Sequence, residues 1–238
     1  MNQIFRKTIL LSFAALLSGL GGFLTACSIS DPQTRSTSPD PSISSSATIA
    51  KAPEQVASDK MPHAGMSHAT AMALGPADAN YDLRFVDAMI PHHQGAVLMA
   101  KEVLQKSKRP ELKKLAQAII TAQNQEIAQM TQWRKAWYPK VAAAPVAWHT
   151  QHNQMMPMSQ TQSHAMMMTM NLGQADAQFD LRFINAMIPH HEGAIVMARD
   201  ALGKSKRSEI QKLAQAIITS QQTEIDQMKA WRAAWYQQ

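Results

Sequence analysis

Apolar side chains recur every three or four positions through residues 81–104. One stripe runs Leu83, Val86, Ile90, Val97, Ala100 and Leu104; a neighbouring one runs Phe85, Met89, Ala96, Met99 and Val103. This spacing predicts a helix with a wide core-facing side. The segment "QKSKRPE" interrupts it. Pro110 then suits the first position of a second helix, where a missing N–H costs nothing. Leu112, Ala116, Ile119, Met130, Trp133 and Trp137 make the apolar face of that helix, and Pro139 with the Ala/Pro stretch after it ends the pattern. Asp78 or Asn80 is placed to cap the first helix, and Asp176 its counterpart further on. Helices of about 28 residues are about 42 Å long at 1.5 Å per residue.

The pattern is then written again. Residues 179–236 align with 81–138 without a gap at an offset of 98, with 38 of 58 positions identical. One helical hairpin cannot cover both of its faces. Two of them can, and the expectation is an all-α fold: an antiparallel four-helix bundle built from two repeated hairpins, residues 77–139 and 175–238. The rival is a pair of separate hairpins, each dimerising with another chain. Carrying both halves on one chain raises their effective concentration and favours a single monomeric bundle.

Extending the stripes brings in chemistry. The first passes through position 93 and the second through position 92, and both are histidine, in "AMIPHHQGA" and again in "AMIPHHEGA". The stripe of the second helix contains Gln123, Glu126 and Met130. An antiparallel turn near residues 107–109 sets His92 and His93 opposite residues 122–123, and Met89 opposite Glu126. The layer recurs as Met187, His190, His191, Gln221, Glu224 and Met228. Buried polar groups are costly unless they are hydrogen-bonded or bind something. Two readings stand: a satisfied polar layer that fixes helix register, or a ligand site. A His-His pair flanked by Met89 and Met99, or by Met187 and Met197, favours the site. Pro91 removes one intrahelical bond, to the carbonyl of Asp87, and bends the helix beside the two rings. Gly95 permits close approach of another chain or ligand.

Composition narrows the ligand. The start has a basic pair, Arg6-Lys7, then an apolar run: a secretory signal over residues 1–27. Its Leu24-Thr25-Ala26-Cys27 ending resembles a bacterial lipobox, which implies lipidation of Cys27, an anchored periplasmic or extracytoplasmic protein and a membrane partner. Residues 28–76 read as a linker, Ser/Pro-rich and then Met/His-rich. Cys27 is the only cysteine, so intramolecular disulfides and Cys-rich metal sites are excluded. The formal charge of +6 is modest and spread along the chain, which leaves nucleic-acid binding unsupported. The chain has 17 methionines, and many lie outside the hairpins. Met61, His63, Met66 and His68 precede the first repeat; His149, His152, Met155, Met156, Met158 and His164 lie in the connector, residues 140–174. Core filling does not explain methionine in polar connectors. Thioether mixed with imidazole selects Cu(I), with Ag(I) as its mimic and Cu(II) also possible, over Zn(II) or Mg(II).

"YDLRFVDAMIPHHQGAVLMA" and "FDLRFINAMIPHHEGAIVMA" resemble the signature of the family catalogued as domain of unknown function 305. Two copies behind a secretion signal, with a Met/His-rich connector, are similar to its copper-binding members. The resemblance implies a ferritin-like four-helix bundle that binds copper outside the cytoplasm for metal resistance or homeostasis. By position it implies Met89, His92, His93 and Met99, and Met187, His190, His191 and Met197, as ligands. The expectation is therefore a non-enzymatic copper sponge or carrier, with copper efflux or import proteins as possible partners. Two alternatives belong to other classes. One is a ferritin-like metallo-oxidase, although no Glu here is followed by His three residues on, as di-iron sites require. The other is an interaction bundle whose histidine layers only set register.

Overall fold

A computed structural model describes residues 72–238. The signal, Cys27 and the Met61, His63, Met66 and His68 cluster lie outside the described residues. The fold is all-α, with helices α1 (Tyr81–Lys106), α2 (Pro110–Trp137), α3 (Gln160–Met167), α4 (Phe179–Lys204) and α5 (Ser208–Tyr236). Among the described residues the one small sheet is an antiparallel hairpin of β1 (Val146–His149) and β2 (Gln154–Pro157). Each long hairpin, α1–α2 and α4–α5, packs on itself, and the two meet along α1 and α4.

Local physics sets the boundaries. Pro110 is the first residue of α2, and Pro91 is accommodated inside an unbroken α1. The expected helix caps take another form. Asn80 and Gln178 occupy the capping positions and make no side-chain cap bond. Asp78 and Asp176 instead accept from the backbone N–H of Asn80 and Gln178, 2.9 Å in both cases, closing a turn before each helix.

Two apolar cores lie at opposite ends of the bundle. One gathers Met99, Leu112 and Ile119 with Phe179, Phe183, Met187 and Met228. The other gathers Phe85, Met89 and Met130 with Met197, Ile210 and Ile217. Each draws on both repeats, so neither hairpin has a complete core of its own. Paired clamps tie the repeats together with approximate two-fold symmetry. Lys106 donates to the Gly173 carbonyl and Lys204 to the Gly75 carbonyl, both at 2.9 Å. The guanidinium of Arg109 lies 4.1 Å from the ring centre of Trp235, and that of Arg207 lies 4.2 Å from Trp137.

The connector breaks the symmetry. It carries the β-hairpin and α3, and both pack on α1. A Ser159–Gln162 capping box starts α3. Asp87, almost fully buried, receives Arg134 Nε at 2.5 Å and the Val146 N–H at 2.9 Å. The equivalent Asn185 is exposed. Gly95 is where the connector presses closest: a Cβ there would collide with the Met167 backbone carbonyl. Gly95→Ala is therefore expected to lower stability by about 1–3 kcal/mol, as overpacking does, despite the gain in helix propensity. A thermal midpoint equal to or above that of the parent would show that the connector yields freely.

Candidate metal centre

The four histidines form a polar layer where the two apolar cores part. All four rings are at most 1% exposed. The antiparallel packing of α1 against α4 brings His92 and His190 together across the repeat boundary, with ring centres 3.9 Å apart. His93 and His191 flank them, 6.4 and 6.2 Å from their own neighbours.

The pairs differ in what holds them. His93 Nε2 donates to Glu126 Oε2 at 2.7 Å, and His191 Nε2 donates to Glu224 Oε2 at 2.7 Å. These two rings fit the register-fixing reading, though the partner is the glutamate about one turn beyond the residues the turn geometry placed opposite them. Gln123 and Gln221 are buried in the same layer, each with an unpartnered carbonyl oxygen. His190 Nε2 lies 3.1 Å from the Met167 carbonyl, which only accepts, so His190 carries its proton on Nε2. In all three rings Nδ1 is left without a hydrogen-bond partner. His92 has no partner on either nitrogen.

An imidazole tied at one nitrogen by a carboxylate or carbonyl and bare at the other has the arrangement that orients histidine toward a metal. Burial depresses the basicity of the central pair. It holds His92 well below the usual histidine range, with the neighbouring rings adding to the effect, and pushes His190 down to about 3. Both are neutral at ordinary pH and need lose no proton to bind a cation. The shift also makes the metal-free protein sensitive to acid. Above about pH 6.5 the rings are neutral in the folded and the unfolded chain alike. As pH falls below 6.5 the unfolded chain takes up protons that folded His190 refuses until about pH 3. Stability is therefore fully present above pH 6.5 and falls by roughly 1.4 kcal/mol per pH unit for each such ring. Denaturant titrations from pH 7.5 to 4.5 should show this slope, and show it flattened in His190→Gln. An unchanged slope in that variant would locate the acid sensitivity elsewhere.

The remaining candidates are spread out. Met89, Met130 and Met197 sit in one apolar core, and Met99, Met187 and Met228 in the other, all at most 1% exposed. His149 ends β1 and His152 lies in the turn that follows, with ring centres 6.3 Å apart, and Gln162 Nε2 meets His149 Nε2 at 3.1 Å. Met155 pairs across the strands with Trp148, and Met156 with Ala147. Met158 donates its backbone N–H to the Pro145 carbonyl at 2.7 Å, and His164 is exposed on α3. None of these connector side chains joins the histidine layer. Among the described residues, no three His, Cys, Asp or Glu side chains are grouped to hold one metal ion. A centre in this layer with three or more protein ligands would need a donor outside that set.

Residues 82–232 match the family described as domain of unknown function, DUF305. The chain belongs to the DUF305 family. All four layer histidines and both glutamates fall inside the matched span. Among solved structures, CopM in its Cu(II)-bound form is 42% identical, with 65% of this chain and 97% of that chain covered and a TM-score of 0.53. CopM in its Cu(I)-bound form is 40% identical at the same coverage, with a TM-score of 0.51. A DUF305 protein of Streptomyces coelicolor, described as secreted, is 27% identical over 68% of this chain and 95% of its own, with a TM-score of 0.52. Uncharacterized protein L153 of Acanthamoeba polyphaga mimivirus is 43% identical over 51 residues, which are 21% of this chain and 34% of that protein. The chain thus matches about a third of the length of that curated relative.

Proposed function

We propose that this DUF305 chain is an extracytoplasmic copper-binding protein that sequesters or carries copper for resistance or homeostasis. The observation that carries the reading is the buried imidazole layer with bare ring nitrogens, His92 having both unpartnered. Its likeness to CopM structures holding Cu(I), Cu(II) and Ag supports the same ligand class. Cu(I) is the preferred ion. His92 and His190 hydrogen-bond to no carboxylate among the described residues, and a divalent ion between them would bring a larger uncompensated charge into the core. Neutral imidazole and thioether donors suit the softer, singly charged ion.

The Met/His-rich connectors supply weaker, adaptable sites that load the bundle, because flexible ligands lose conformational entropy on binding. The protein acts by binding and not by turnover, held at the membrane through lipidated Cys27, and passes copper to or from transport proteins. The test is bound metal per chain after loading with Cu(I) under reducing conditions, repeated with Zn(II). Copper retained through desalting, with zinc lost, is the expected result. Equal retention of zinc would overturn the soft-metal assignment.

A further inference from the structure

The two repeats share their sequence but not their central site. By the offset of 98, Met72 corresponds to Met170, Gly95 to Gly193 and His92 to His190. On the Gly95 side the connector backbone fills the space beside the helix, and the Met167 carbonyl satisfies His190 Nε2. On the Gly193 side the place is taken by the Met72 side chain. A Cβ built on Gly193 would meet Met72 Cε, with Met72 Sδ at 3.0 Å and His92 Nε2 at 3.3 Å. Thioether sulfur and imidazole nitrogen therefore both border the space a larger residue would occupy. That nitrogen is one of the two on His92 without any partner. Met170, at the equivalent repeat position, is 58% exposed.

We propose that Met72 is a ligand of the central copper site, and that the duplicated bundle therefore holds one asymmetric site, built from Met72, His92 and His190. The proposal rests on the copper reading and adds a residue outside the family match, which begins at Asp82. Three neutral donors are available: the Met72 thioether, His92 Nε2, and the unpartnered Nδ1 of His190, whose ring centre lies 3.9 Å from that of His92. Met72 is 9% exposed. It also lines an open groove of about 680 Å³ with Leu74, Gly75, Trp148, Val196 and Lys204. It thus spans solvent and the buried ring, and a thioether does so without an ionic desolvation cost. The ion enters from this groove and meets sulfur first. Gly193 is required because it leaves room for the sulfur.

The test uses the full chain and three variants. Met72→Leu keeps the volume and removes the sulfur. Gly193→Ala places a methyl where the thioether lies; it displaces the flexible end of Met72 and also crowds His92 Nε2, so it reports on the space while Met72→Leu reports on the sulfur. His92→Gln reports on the copper reading itself. Competition with a chromophoric Cu(I) chelator reads the tightest binding class. Methionine-methyl NMR on addition of one equivalent of Ag(I) reads the sulfur directly. Met72→Leu and Gly193→Ala should each weaken the tightest class by at least the order of tenfold that loss of an outer-shell partner already costs. The methyl signal missing in Met72→Leu should be the one that shifts with Ag(I) in the parent. If His92→Gln loses the tight class while Met72→Leu keeps it and that methyl signal stays still, the site lacks Met72 and the proposal fails alone. If the parent has a tight class that does not depend on His92, the central site fails with the proposal and copper binding moves elsewhere; if the parent has no tight Cu(I) class at all, the copper reading fails too.

Discussion

Replacing His92 and His190 together by glutamine is expected to abolish the tightest copper site while the helices remain. The two rings stand 3.9 Å apart across the repeat boundary and present unpartnered nitrogens. Each lost ligand should cost on the order of tenfold or more in affinity, so the double variant should lose at least about a hundredfold. Glutamine preserves much of the volume and no charge is removed, because burial already holds both rings neutral. The helical circular-dichroism signal should therefore persist. His93→Gln with His191→Gln is the informative comparison, since those rings stand outside the 3.9 Å pair, with centres 6.4 and 6.2 Å from their own neighbours. Its effect should be smaller. Chelator competition on both double variants separates the pairs. A tight class that survives loss of His92 and His190 would move copper binding to the connectors.

Asp87→Ala is expected to destabilise the protein by about 3–5 kcal/mol, whereas Asn185→Ala at the equivalent position should fall within about 0.5 kcal/mol of the parent. The side chains differ by one atom in kind and greatly in setting. Asp87 is 3% exposed and accepts from Arg134 Nε, Arg134 Nη2 and the Val146 N–H. Arg134 Nη2 also donates to the Ala142 and Ala144 carbonyls at 3.0 Å, so this ion pair pins the connector to the bundle. Its removal leaves Arg134 Nε and the buried Val146 N–H without their acceptor. Asn185 is exposed and receives only Arg232 Nη1 at 3.2 Å. Urea unfolding of the two variants decides the matter. Equal losses would mean that the connector contributes little to stability.

The helices were legible because they follow from local rules. A three-four apolar period, a proline suited to a first turn and a 98-residue repeat suffice to place four long helices and to bury His92, His93, His190 and His191. The glutamate partners were legible as residues on the same stripe. Their register was not, because an assumed turn fixes helix offset only to within a turn, and the packing of two cores settled it. Nothing local marked Asp87 as buried and Asn185 as exposed, since that depends on which copy the connector covers.

Met72 shows the same division. In sequence it is one methionine among many in a polar stretch. It becomes notable only when Gly193 leaves a space beside His92 and the chain enters there. The sequence by itself determined the secondary structure, the two-fold repeat and the depth of the histidines, because side-chain periodicity on a helix is a short-range property. The tertiary structure alone decided that His92 meets His190, that Met167 caps one and Met72 faces the other, and that two equal repeats enclose unequal surroundings. Those contacts join residues far apart in the chain, and one connector cannot cover two symmetric faces at once.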